Sequence, residues 1–99
     1  MEDARRGCNI LISTPGRLLY YINENVISFE SLEALVLDEA DRLISDNFKE
    51  CVEKIVTSET MPRTKDRQTF VHCKKLDEKT QGRVKMFLDK SHLFVDDED

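Results

Sequence analysis

The chain has 99 residues, of which 39% are hydrophobic and 35% charged, with 3 Gly and 2 Pro. That length suits one small globular domain, and the composition excludes a collagen, a low-complexity linker and a disordered acidic chain. Lys and Arg total 15 against 20 Asp and Glu, a formal charge of −5 owed largely to the terminal Asp96, Asp97, Glu98 and Asp99, so any nucleic-acid site must be local rather than a matter of bulk charge. The uncharged run from Gly7 to Gly16 is too short to span a bilayer. Glu2, Asp3, Arg5 and Arg6 near the start, without a long apolar stretch, do not make a secretory signal. Cys8, Cys51 and Cys73 are widely spaced and match neither a zinc site nor a disulfide framework. Reduced thiols in an intracellular protein, cytoplasmic or nuclear and not secreted, are the plain expectation.

Asn9 to Ser13 is a short, partly β-branched apolar run and predicts a strand buried on both faces, as in a parallel sheet. Ser13 or Thr14 suits a helix cap and Pro15 the first helical position, with Leu18, Leu19 and Ile22 at helical spacing and an end at Asn23 to Asn25. Val26 to Leu32 reads as a connection with Phe29 and Leu32 turned inward. Ala34 to Leu37 predicts a second buried strand ending at Asp38, and a helix follows from Glu39 with Leu43 and Ile44 as its apolar contacts. Phe48, Val52, Ile55 and Val56 predict an amphipathic helix over 48–56. Ser58 to Arg67 reads as a loop, Gln68 to Cys73 as a third strand, Leu76 to Leu88 as a helix and His92 to Val95 as a fourth strand. Strands alternating with helices predict an α/β fold on a parallel sheet, and the acidic end has nothing apolar to anchor it.

The residues with most chemical content are Val36-Leu37-Asp38-Glu39-Ala40-Asp41, an apolar strand ending in adjacent carboxylates. Ligands of open parallel sheets bind at that edge, and a carboxylate there suits a magnesium ion that neutralises nucleotide phosphates. Glu39 and Asp41 equally suit a helix start, where the dipole favours acids. At Thr14-Pro15-Gly16-Arg17, backbone N–H groups and one guanidinium would suit a phosphate, while the plainer reading is a helix start with a solvated arginine.

Asp38-Glu39-Ala40-Asp41 spells the motif that names the DEAD-box RNA helicases, and Thr14-Pro15-Gly16-Arg17 resembles that family's RNA-contact motif. Leu18-Leu19, Leu35-Val36-Leu37, Arg42-Leu43 and Arg67-Gln68-Thr69 also look like the family, and Met61-Pro62 resembles its Vasa-type branch. The resemblance runs from about Arg6 to Val95. It implies a truncated RecA-like parallel sheet with flanking helices, a partial first RecA-like helicase domain over residues 1–95, and an acidic tail over 96–99. The intact family binds RNA and ATP and unwinds RNA with ATP hydrolysis. By carry-over, Asp38 would face magnesium as the metal residue, Glu39 the hydrolytic water, and Asp41 would link the ATP and RNA sites. Thr14, Gly16 and Arg17 would touch RNA. Asn47 stands where the family usually has Gly, and Asn is the non-Gly residue most tolerant of positive φ.

The departures are as informative. No Gly-x-x-x-x-Gly-Lys-Thr phosphate loop occurs in the sequence, and the place of the Ser-Ala-Thr motif reads Cys73-Lys74-Lys75. The chain is therefore expected not to hydrolyse ATP by itself or to bind ATP and magnesium productively. Lys74 or Lys75 would neutralise the acids and remove the need for the ion, or both lysines are solvated at a helix start. His72 reads as an ordinary strand-end histidine. Two functional classes remain: a fragment or degenerate member of the helicases, or a non-enzymatic RNA- or protein-binding module derived from one. A non-functional product of a decayed gene, or a partial gene model, is the third reading. No membrane partner is expected.

Overall fold

The structure is a computed structural model that describes residues 9–45, 47–74 and 77–93. Helix α1 spans Pro15–Asn23, strand β1 Ala34–Leu37, the single-turn helix α2 Ala40–Leu43, helix α3 Lys49–Val56, strand β2 Gln68–Val71 and helix α4 Glu78–Val84. Short 3₁₀ turns cover Thr64–Asp66 and Lys85–Phe87. The strands β1 and β2 form a two-stranded parallel sheet in which Ala34 pairs with Gln68 and Leu37 with Val71. A parallel pair needs a crossover, which α2 and α3 provide.

The core gathers Leu37, Ala40, Ile44, Val52, Val84 and Phe87, with Leu35, Leu43, Phe48, Val56, Val71 and Leu88 packed around it. Each layer supplies a share: β1 through Leu37, α2 through Ala40, α3 through Val52 and α4 through Val84. The helix α1 packs on α3, so α3 joins the N-terminal helix to the core. Phe29 is buried as predicted, and its N–H donates to Thr60 Oγ1 at 2.9 Å. Pro15 opens α1, and the helix ends at Asn23 with Asn25 in the left-handed region at φ 57°.

Several expectations are corrected. The strands are covered on one face only: Leu37 is buried and Leu35 half-buried, but Val36 and its register partner Phe70 are exposed. Asn9 to Ser13 is irregular rather than a strand, with Ile10 82% and Ile12 92% exposed. Hydrophobicity alone does not hold a strand: its backbone groups need a ladder partner, and without one they hydrogen-bond to water. His92 and Leu93 are likewise irregular, while Phe94 and Val95 lie outside the described residues. The helix expected from Leu76 to Leu88 is regular over Glu78–Val84 and tightens to 3₁₀ over Lys85–Phe87, which lets both Val84 and Phe87 reach the core. Leu76 lies outside the described residues. Among those residues the non-Gly left-handed positions are Asn25 and Glu39, not Asn47.

Asp77 caps α4, its carboxylate accepting from the Thr80 N–H at 2.7 Å. Asp77→Ala is expected to destabilise the chain by about 1 kcal/mol, the usual size for a lost cap, read as a lower urea midpoint at unchanged slope.

Candidate functional site

The acidic motif sits where β1 turns into α2. Asp38 follows the last strand residue at the C-terminal edge of the sheet. Its Oδ1 accepts from the Glu39 N–H at 2.9 Å and lies 2.9 Å from Nδ1 of His72, just past the end of β2. These bonds favour the ionised form and hold the Asp38 carboxyl below its ordinary range, the His72 bond contributing most and the Glu39 N–H next. The register brings His72 there. Its N–H donates to Leu37 O at 2.9 Å, and its carbonyl accepts from the Ala40 N–H at 2.9 Å. One residue of β2's extension is thus tied to both the strand before the acids and the helix after them.

Glu39 adopts φ 52° and ψ 49°. Left-handed backbone is uncommon for a residue with a side chain, and it turns the chain from strand into helix within one residue. Its side chain does not cap α2; Oε2 lies 3.5 Å from Arg42 Nη1. That pair is exposed and contributes little to stability. Asp41 lies in the first turn of α2, exposed, and makes no hydrogen bond or ion pair among the described residues. The dipole reading suits its position.

The lysine hypothesis is corrected in part. His72 and Arg42 are the side chains beside the acids, and Lys74 makes no ion pair among the described residues. Lys75 lies outside them. His72 is the residue that sequence reasoning missed as a partner of the motif. Its signal was its place at the end of the neighbouring strand, one residue before Cys73.

Both donors beside Asp38 converge on Oδ1, and no three His, Cys, Asp or Glu side chains among the described residues are placed to hold a metal ion. Magnesium keeps several waters and is held by one or two carboxylates together with nucleotide phosphates. Asp38 Oδ2 makes no hydrogen bond among the described residues, so one carboxylate oxygen stays open at the strand edge and would suit such an ion.

The second candidate lies at the start of α1. Thr14 has extended backbone and its side chain makes no capping bond. Its carbonyl accepts from the Leu18 N–H at 3.0 Å, whereas the N–H groups of Gly16 and Arg17 have no hydrogen-bond partner among the described residues. Gly16 and Arg17 are exposed, and a Cβ built on Gly16 meets nothing within 4 Å. Two open donors, a hydroxyl and a guanidinium therefore share one turn. No hydrogen bond or ion pair links this turn to Asp38, Glu39 or Asp41; the connection runs through the packing of α1 on α3 and of Val52 into the core beside Ala40. No helix among the described residues is long and apolar enough to cross a membrane.

The family model for the DEAD/DEAH box helicases matches residues 1–73. The chain is similar to "Probable ATP-dependent RNA helicase DDX4" of Pelophylax lessonae, 38% identical over 95 residues that make up 96% of the chain and 13% of that relative. It is also similar to "ATP-dependent RNA helicase DDX4" of Mus musculus, 39% identical over 90 residues, 91% of the chain and 13% of the relative. The chain thus spans about 13% of the length of the curated relatives it matches. The α/β fold with its parallel strand pair, the acidic strand end and these matches together place the chain in the DEAD/DEAH box helicase family.

Proposed function

We propose that this chain carries the RNA-backbone contact of an intracellular ATP-dependent RNA helicase domain and does not hydrolyse ATP by itself. The observation behind this reading is the open start of α1, where the Gly16 and Arg17 N–H groups lack protein partners and the Arg17 side chain is exposed. Backbone donors at a helix start and a guanidinium favour phosphate oxygen without reading a base. Thr14 adds a hydroxyl donor. Asp38, Glu39 and Asp41 keep the family's order at the strand edge, but their geometry supports no turnover. Asp38 is engaged by His72, Glu39 by Arg42, and the phosphate loop is missing from the sequence. ATP and Mg2+ belong to the reading only as cofactors of a larger helicase assembly.

The test is fluorescence anisotropy of a labelled single-stranded RNA with the 99-residue chain. Weak binding that falls steeply with salt is expected, and Arg17→Ala should weaken it about equally across RNA sequences, with the salt slope smaller by about 1. Equal binding by the parent and Arg17→Ala would remove the RNA assignment. RNA-stimulated phosphate release from ATP, absent in Glu39→Gln, would overturn the non-catalytic half. A protein-binding module is the second reading. The exposed apolar pair Val36 and Phe70 on the open sheet face favours it.

A further inference from the structure

We propose that His72 is a built-in occupant of the Asp38 carboxylate, competing with a divalent cation for the C-terminal edge of the sheet. The pair is made by the fold rather than by chance encounter on the surface. The backbone of His72 is bonded on both sides, to Leu37 O through its N–H and to the Ala40 N–H through its carbonyl, each at 2.9 Å. Those two bonds bracket Asp38, which lies between Leu37 and Ala40 in the chain. A histidine at this position therefore starts within reach of that carboxylate, and Nδ1 lies 2.9 Å from Oδ1.

An ionised carboxylate only accepts hydrogen bonds, so Nδ1 carries the proton in this 2.9 Å contact. That requires no positive charge on the ring, because the neutral tautomer protonated at Nδ1 donates equally well. The Glu39 N–H is directed at the same oxygen. Two N–H protons thus take up Oδ1 and oppose a cation that approaches both carboxylate oxygens, which leaves it Oδ2 alone. The Glu39 N–H is held by the turn and stays. The His72 ring is 76% exposed and is free to rotate away. The competition is therefore graded, with His72 as its adjustable member.

The inference needs neither ATP nor RNA, so its test uses the metal alone. Mn2+ is titrated into the isotopically labelled 99-residue chain while paramagnetic broadening is followed at the Asp38 carboxyl carbon and the Glu39 amide. In His72→Ala, half-broadening is expected at a roughly two- to fivefold lower Mn2+ concentration than in the parent, the range of a weak, solvent-exposed contact. Asp38→Asn should abolish the local broadening in both backgrounds. His72→Phe keeps a ring without a donor and should behave like His72→Ala, which guards against a packing artefact. A second readout is the His72 ring nitrogen spectrum, in which the Nδ1-protonated form should lose population in Asp38→Asn. Identical Mn2+ dependence in the parent, His72→Ala and His72→Phe would overturn the proposal. So would a ring spectrum unchanged by Asp38→Asn.

Discussion

Phe87→Ala is expected to remove the cooperative unfolding transition of this chain. Phe87 is 2% exposed and sits in the core cluster with Val84, Leu37 and Val52. It arrives there because the chain tightens from α4 into a 3₁₀ turn at Lys85–Phe87. Truncating a buried Phe costs about 3–5 kcal/mol, through lost transfer energy and the void left behind. Native domains hold only about 5–15 kcal/mol of net stability, and a chain this small belongs at the low end. Several of its large apolar side chains, Ile10, Ile12, Val36, Phe70 and Leu93 among them, stay in solvent and contribute little. Urea unfolding followed by circular dichroism is the check. The parent should show a sigmoidal transition and Phe87→Ala a sloping signal, while Phe87→Leu, which leaves a smaller void, should keep the transition at a lower midpoint. A Phe87→Ala midpoint close to that of the parent would mean that the cluster does not carry the fold.

Arg67→Ala is expected to cost roughly 2–4 kcal/mol, the range for charge-assisted bonds lost together with stranded acceptors. Arg67 is buried at 9% exposure just before β2, and it makes three bonds with three different neighbours. Nη1 donates to Pro62 O at 2.7 Å, Nη2 to Phe87 O at 3.2 Å and Nε to Thr69 Oγ1 at 2.9 Å. One planar guanidinium thus joins the loop before β2, the strand itself and the turn after α4. Its partners are neutral, and burial lowers the guanidinium's tendency to hold the proton. Removing it leaves the part-buried Pro62 carbonyl and the buried Phe87 carbonyl short of a donor. Arg67→Lys should recover less than half of the loss, because an ammonium cannot span three directions in one plane. The two substitutions are not independent: Arg67 bonds the backbone of Phe87, so the double variant should lose less than the sum of the singles. An Arg67→Ala midpoint within error of the parent would show that water replaces all three bonds.

Arg67 also marks a limit of reading the sequence. Its place in Arg67-Gln68-Thr69 was legible through resemblance, but its work as a buried cross-link was not. Pro62 and Thr69 are near Arg67 in sequence, but the Phe87 carbonyl is 20 residues away and reaches the guanidinium only once the turn after α4 has docked. His72 carries the same lesson at the acidic motif. The motif Asp38-Glu39-Ala40-Asp41 was plain in the sequence, and so was its position at a strand end. The expected neutralising partner was Lys74 or Lys75, because both follow the strand expected beside that of the acids. Parallel pairing of Leu37 with Val71 instead carries the next residue, His72, to Asp38.

Local pattern by itself determined a good deal. Ala34 to Leu37, the helix opened by Pro15 and the amphipathic helix of Val52 and Ile55 all follow from apolar spacing, proline placement and turn residues. These are properties of neighbouring residues, so a single sequence contains them. Tertiary structure alone decided which apolar runs pair. Asn9 to Ser13 and Ala34 to Leu37 look alike as segments, yet only the second has a hydrogen-bonded partner and becomes a strand. It also decided which face of the sheet is covered, why Glu39 rather than Asn47 takes the left-handed turn, and which side chain occupies Asp38. A strand, a buried face and a carboxylate's partner are each completed by groups far along the chain, and only the packed fold brings those groups within bonding distance.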